Sequence, residues 1–155
     1  MKIELILLGK TKEDYLDRGI QDYAKRLQRY TPLDLKYIKT KTQKTQSEPE
    51  IKRSESRLVD DHLTSGSFRC ALDSSGKQFE SEKLAELIST LEQQGIKNMS
   101  FVIGGHLGLD AEQLAAADLV LSLSKMTFTH DMSRLILLEQ LYRAFCIKAG
   151  TKYHK

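Results

Sequence analysis

Nothing in this chain reads as built to cross a membrane, because no apolar run approaches the length that a bilayer needs. The opening MKIELILLGK has an apolar core too short for a signal-peptide h-region, and no small-residue cleavage site follows it. The expected location is therefore the cytoplasm. Cysteine is scarce as well. Cys70 and Cys146 are the two present, both inside predicted apolar elements, and they read as buried small hydrophobes in a reducing compartment. Neither they nor any pair of the four histidines has metal-ligand spacing, so no metal is expected. Charge of one sign is also in short supply. A formal net charge of +3 over 155 residues is too small for a protein that coats nucleic acid with its whole surface. Any contact with RNA must come from a local patch.

What the chain does have is the composition of one ordinary globular domain and a regular alternation of elements. The apolar run Ile3–Leu8 reads as a buried first strand, ended by Gly9 and Lys10. Leu16, Ile20, Tyr23, Leu27 and Tyr30 recur at steps of four and three, one face of a helix from about Glu13 to Arg29 that Pro32 stops. Leu33, Leu35 and Tyr37 alternate with polar residues as a second, half-exposed strand would. Lys39–Gln46 is polar and repetitive, either a loop or a set of phosphate contacts. Ser47 and Glu50 have capping-box spacing, with Pro49 in the first turn of a second helix whose apolar stripe is Ile51, Leu58 and Leu63.

Ser67–Asp73 reads as the third strand, closed by the turn residues Asp73 to Gly76. Ser81 is placed to cap a third helix, which buries Leu84, Leu87, Ile88 and Leu91 and ends at Gly95. Met99–Ile103 is the fourth strand and runs straight into Gly104 and Gly105. Asp110 caps a short fourth helix, with Gln113 at capping-box spacing and Leu109 and Leu114 as a hydrophobic staple. Leu119–Leu123 is the fifth strand, and a final helix runs from about Asp131 to Ala149. Strands alternating with helices imply an α/β fold, a mostly parallel five-stranded sheet with helices on both faces. Strand order is not readable from such a pattern.

Three segments end strands and open at the carboxyl edge of a parallel sheet, where α/β proteins keep their ligands: Leu72–Gly76, Gly104–Gly108 and Ser124–His130. The glycine segment IGGHLG is not a dinucleotide fingerprint, since it lies late in the chain and a loop separates it from its helix. Its glycines serve either ligand approach or a tight turn. The loop SKMTFTH offers hydroxyls, backbone amides, a thioether and an aromatic ring, a lining that suits adenine and ribose but also describes an ordinary surface loop. The last helix is apolar on more than one face, with Leu138, Leu141, Tyr142 and Phe145 on one side and Ile136 and Ile147 nearly opposite. Two apolar faces call for two burial partners, and a second copy of the chain is the economical one, so a homodimer is expected. Arg134 on that apolar side either pairs with a carboxylate or snorkels outward, or it neutralises an anion at the site mouth. Lys148, Lys152 and Lys155, with Tyr153 and His154, form a basic aromatic tail that either frays or holds RNA by phosphate contacts and stacking. His130 abuts a helix N-terminus, which disfavours its charged form.

Four motifs in order, FVIGG-x-x-G-L, LSLSKMT-F-x-H, L-x-E-Q-L-Y-R-A and a terminal Y-H-K, resemble the RlmH family of large-subunit ribosomal RNA methyltransferases, and the resemblance covers essentially the whole chain as a single domain, residues 1–155. It implies a SPOUT-class fold with a C-terminal trefoil knot, which physical reading of the chain would not propose because knots are nearly absent from proteins. It also implies a homodimer that transfers a methyl group from S-adenosylmethionine to N3 of a pseudouridine in 23S rRNA of the ribosome. Cofactor contacts then fall on Leu72, Gly104, Leu123, Ser124, Lys125, Met126, Thr127 and Phe128. His154, Tyr153 and Arg143 are the catalytic candidates, and His130, Arg134, Glu139 and Lys155 those for binding the substrate. The family usually has proline before the histidine; here Thr129 occupies that place and is suited to cap the last helix instead. Two other readings of the residues stay open: a flavin- or nucleotide-binding α/β protein, and a non-enzymatic module associated with ribosomes.

Overall fold

The computed structural model describes residues 1–40, 46–151 and 153. Five strands alternate with five helices in the order β1 (Lys2–Leu8), α1 (Asp14–Leu27), β2 (Leu33–Ile38), α2 (Glu48–His62), β3 (Phe68–Gln78), α3 (Ser81–Gln93), β4 (Asn98–Ile103), α4 (Ala111–Ala115), β5 (Leu119–Ser122) and α5 (His130–Lys148). The strands form one sheet in the order β2-β1-β4-β3-β5, and all the pairings are parallel. The expected α/β class is therefore present, with the sheet parallel throughout.

The period of two along β1 sorts its side chains. Ile3, Leu5 and Leu7 turn to one face, where they meet Ile20 and Leu27 of α1, Leu84 and Ile88 of α3, and Leu137, Leu138 and Leu141 of α5. Ile6 and Leu8 turn to the other, against Val59 of α2 and Leu109 before α4. Thus α1, α3 and α5 cover one face, and α2 and α4 the other. The breadth of apolar surface on α5 is met largely within the chain, because the helix lies between α1 and α3 on the sheet. A Cβ on Gly19 of α1 would fall 2.9 Å from Cδ1 of Leu135, so this glycine sets how closely α1 and α5 approach.

Several local expectations need correction. The turn at Asp73–Gly76 does form, with Asp73 Oδ1 accepting from the Ser75 amide (2.9 Å) and hydroxyl (2.6 Å), but the strand does not end there. Leu72 and Lys77 both stand opposite Leu121, so residues 73–76 loop out and β3 resumes beside β5. Ser81 does not cap α3; Glu80 holds the cap position, and the Ser81 hydroxyl donates to Gln140 Oε1 of α5 at 2.7 Å. Gln113 makes no capping box, because its amide reaches across to the Ser56 carbonyl (3.2 Å) and Asp60 Oδ1 (3.0 Å) of α2. The fully buried residues of α2 are Glu55, Ser56 and Val59, while Leu58 and Leu63 of the expected stripe pack partly buried against the same cluster. The capping box at Ser47 and Glu50 and the Asp110 cap form as expected.

One charge lies inside the sheet. Glu4 is 1% exposed. Burial alone would raise its pKa, but hydrogen bonds from Thr64 Oγ1 (2.8 Å), Lys2 (3.0 Å) and Ser100 Oγ (3.1 Å), with the Lys36 ammonium 3.3 Å away, outweigh it. The group is held at about 2, against an ordinary 4.5. A pKa depressed on folding stabilises the native state above the unfolded value and ceases to do so as pH falls through the folded one. Urea unfolding followed from pH 5 to pH 2 is expected to show about 3 kcal/mol of stability lost through Glu4. In Glu4→Gln that component of the pH dependence should vanish. An equal slope in the two proteins would assign the acid sensitivity elsewhere.

Candidate functional site

The carboxyl edge of the sheet opens into a cleft of about 490 Å³, a size usual for a small-molecule site. Its walls are the three segments that end β3, β4 and β5. Leu72, Asp73 and Ser74 come from the first, Ile103, Gly104, Gly105, His106 and Gly108 from the second, and Leu121, Leu123, Ser124 and Met126–His130 from the third, with Ser133 of α5 closing the end. Their apolar side chains suit the faces of a flat heterocycle, and backbone groups of the loops supply polar edges.

Close backbone approach shapes this cleft. A Cβ on Gly104 would stand 2.7 Å from the Gly108 carbonyl carbon and 2.9 Å from the Leu109 amide nitrogen, so only glycine permits the loop to fold back on itself. Gly108, at φ +75°, completes that turn. Gly76 does the same for the wall opposite, since its Cβ would fall 2.6 Å from the Val120 carbonyl. Of the two readings of the glycine segment, the tight turn is present, and it lines the cleft.

The loop after β5 is folded by its own hydroxyls. Ser122 Oγ donates to the Ser124 carbonyl at 2.9 Å, and the Met126 amide donates to Ser124 Oγ at 3.0 Å. Met126 is left 74% exposed at the rim. Thr129 caps α5 by accepting from the Met132 amide at 3.2 Å, as its place before His130 suggests. His130 lines the cleft, and burial lowers its pKa despite Asp131 Oδ1 at 3.3 Å from Nε2. Burial thus favours the neutral form of the ring.

Of the remaining candidates, Lys125 is exposed on the loop and its side chain does not line the cleft. Arg134 is fully buried and paired, with Asp131 Oδ1 3.0 Å from Nη1, Nη1 donating to Thr11 Oγ1 (3.0 Å) and Nη2 to the Leu8 carbonyl (2.6 Å). Among the alternatives for this residue, the structure shows the internal ion pair. Glu139, Arg143 and Tyr153 cluster at the other end of α5. Glu139 Oε1 accepts from Arg143 Nη2 at 2.7 Å and from the Tyr153 hydroxyl at 3.4 Å, and the Arg143 guanidinium lies 5.0 Å from the Tyr153 ring centroid. Tyr23 of α1 joins them, its hydroxyl 3.1 Å from that of Tyr153. Lys148 is not part of a free basic tail, because its ammonium is 2.6 Å from Glu92 Oε2. Lys152, His154 and Lys155 lie outside the described residues, as do residues 41–45 of the polar loop. Sequence reasoning missed Asp131, whose spacing of three from Arg134 on a helix was the available signal. It also missed Tyr23 as a partner of Tyr153, which no local pattern announces.

A family model described as predicted SPOUT methyltransferase matches residues 1–154. The chain belongs to the SPOUT methyltransferase family. The resemblance carried by the four motifs is borne out. A protein named ribosomal RNA large subunit methyltransferase H from Desulfotalea psychrophila is 48% identical over 155 residues, with all of both chains covered. One of the same name from Clostridium novyi is 46% identical over 159 residues, again end to end. Among solved structures, a probable methyltransferase from Bordetella pertussis superposes with a TM-score of 0.57 at 12% identity, covering 92% of this chain and 95% of that one. A tRNA (m1G37) methyltransferase from Aquifex aeolicus gives 0.55 at 12% identity, covering 92% of this chain and 70% of its own. These two share the fold of this chain. Among the described residues no group of three metal-ligating side chains occurs, and no helix is long and apolar enough to cross a membrane.

In this SPOUT domain the looped-out turn of β3 and the strand β5 should stand or fall together. Gly76→Ala puts a methyl group within 2.8 Å of the Val120 and Leu121 backbone, which cannot swing aside as a side chain can. The expected cost is about 1–3 kcal/mol, read as a lower urea midpoint. A variant as stable as the parent would show that this contact does not constrain the wall.

Proposed function

We propose that this protein is an S-adenosylmethionine-dependent methyltransferase that modifies N3 of a pseudouridine in 23S rRNA, on assembled ribosomes in the cytoplasm, and that it works as a homodimer of single-domain chains. The observation that carries the reading is end-to-end identity of 48% with a relative named for large-subunit rRNA methylation. The cleft supports it independently, since seven of the eight positions expected to hold the cofactor line one cavity: Leu72, Gly104, Leu123, Ser124, Met126, Thr127 and Phe128. The donor set fits the group, with apolar faces for adenine and a rim thioether at Met126 that can fold over it. Bound S-adenosylmethionine would supply a methyl group already activated by its sulfonium, so the chain's contribution is mainly to position the acceptor nitrogen in line.

The N3–H bond must give up its proton as the N–CH₃ bond forms. Tyr153 is poorly suited to take it, because burial and its hydrogen bond with Tyr23 push the phenol's pKa up. Arg143 stays a cation, its pKa raised by hydrogen bonding to Glu139. These two groups are therefore donors, fitted to hold negative charge developing on the uracil carbonyls. The proton falls to another base, for which neutral His130 in the cleft and His154 of the tail are the candidates.

The dimensions of α5 support the dimer. Arg143 is thirteen residues beyond His130 on a straight helix, roughly 20 Å along its axis. The Arg143 end of the cluster in one chain thus stands well along the helix from that chain's own cleft. A second copy with its α5 packed in the opposite sense would bring its cluster to the cleft, and each site would then be composite.

Mass mapping of 23S rRNA from cells with and without the gene is expected to show one methylated pseudouridine lost. An unchanged map would refute the reading. Calorimetry should show binding of S-adenosylmethionine and S-adenosylhomocysteine, whereas tight binding of FMN or ATP instead would favour a nucleotide- or flavin-binding role. Removal of residues 153–155 is expected to abolish methylation while leaving affinity for the methyl donor intact. Turnover at the parent rate would exclude the tail from the chemistry.

A further inference from the structure

We propose that the groove between the end of β2 and helix α2 is a second RNA contact surface, in which Arg53, Arg57 and Lys39 hold backbone phosphates of the rRNA whose nucleotide occupies the cleft. The inference rests on the rRNA reading above and adds to it a surface outside the site.

The groove has a volume of about 680 Å³ and is lined by Lys39, Glu50, Arg53, Ser54 and Arg57, among others. All three cations are exposed. Four of the other six arginines are committed to carboxylates: Arg26 to Asp22 at 2.8 Å, Arg69 to Asp60 at 3.2 Å, Arg134 to Asp131 at 3.0 Å and Arg143 to Glu139 at 2.7 Å; among the described residues, Arg18 and Arg29 on the α1 side are not. Arg53 and Arg57 make no ion pair among the described residues. They also stand four residues apart on α2, a spacing at which like charges destabilise a helix. Glu50 lines the groove too; its Oε2 is engaged by the Ser47 amide and hydroxyl, both at 2.7 Å, and it feels the Arg53 charge without forming an ion pair with it. Two guanidiniums and an ammonium facing one concavity are suited to a row of phosphates, because guanidinium grips two phosphate oxygens at once.

Position separates this patch from a merely solvated face. Lys39 directly follows Ile38, the last residue of β2, and so lies at the carboxyl edge of the sheet, the edge that opens the cleft. Helix α2 is also tied to the wall of that cleft. The Glu55 carboxylate packs 3.1 Å from where a Cβ of Gly105 would stand, and Lys52 Nζ donates to the Leu109 carbonyl at 3.5 Å. One helix therefore carries the phosphate groove on one side and braces the glycine loop on the other. RNA seated in the groove is referred rigidly to the nucleotide site. A chain with a net charge of only +3 needs such a local surface to hold a polyanion.

The test is methylation of purified ribosomal particles at stepwise salt, with Arg53→Gln/Arg57→Gln and Arg53→Lys/Arg57→Lys beside the parent. The glutamine pair is expected to raise KM for the particle at least ~10-fold at moderate salt. It should also flatten the dependence of log KM on log salt by roughly 1–2, one phosphate contact being worth about 0.7–0.9. The lysine pair should keep most of that slope. Calorimetry with S-adenosylmethionine should give the parent affinity in both, which also reports that they fold. If the glutamine pair keeps the parent's KM and salt slope, the groove is not an RNA surface and the proposal falls alone. If the parent methylates no particle, the functional reading falls and takes the groove with it.

Discussion

A guanidinium with no exposed surface fixes the geometry on which the rest depends. Arg134 reaches from α5 to the Leu8 carbonyl at the end of β1, to the Thr11 hydroxyl beyond it, and back to Asp131 on its own helix. Asp131 in turn accepts from the Lys12 amide at 3.0 Å. The start of α5 is thereby bound to the carboxyl end of the central sheet, and with it Thr129, His130 and the loop before them. A buried pair adds little when measured against a well-packed apolar substitute, but breaking it by removing one partner typically costs 3–5 kcal/mol. Its contribution here is placement more than stability. It ties the helix N-terminus directly to the strand end that borders the cleft.

Around that anchor the cleft is built by backbones that touch. Gly104 against Gly108 and Gly76 against Val120 are contacts in which the absent Cβ is the structural feature. They leave the walls in van der Waals contact from behind, so a ligand meets a surface already formed. Rigid walls are what a positioning enzyme requires, since the rate gain from orientation is lost with small displacements. The exposed Met126 is the exception, a flexible thioether at the rim.

Periodicity made most of the fold legible. The strands and helices came from steps of two and of three to four, because burial on one face imposes those steps whatever the partner. The convergence of three strand ends followed from the parallel sheet alone. What stayed hidden depended on partners far along the chain. Ser81 has the residue type of a cap, yet its hydroxyl is claimed by Gln140, 59 positions away. Gln113 is drawn off its box by Ser56 and Asp60 in the same way. Turn chemistry at Asp73–Gly76 was visible, but the return of the strand was not, because it rests on Gly76 meeting a backbone from β5. On α2, the burial of Glu55 and Ser56 in place of Ile51 ran against hydropathy, since that helix face is shared with a polar loop as well as the sheet. The Tyr23–Tyr153 contact joins α1 to the end of the chain, and no window of sequence contains both.

The strand order carries a cost in time. β1 lies between β2 and β4, and its pairing with β4 begins with Lys2 opposite Asn98. At the ~5–20 residues per second of translation, one edge of that apolar strand waits roughly 5–20 s for its neighbour to be made. During that interval the strand has one unpaired edge, with β2 on the other and the apolar residues of α1 and α2 against its faces. A strand synthesised early is thus enclosed late. Completion of the sheet is therefore a late event, and an enzyme read as acting on ribosomes is most vulnerable while it is still emerging from one.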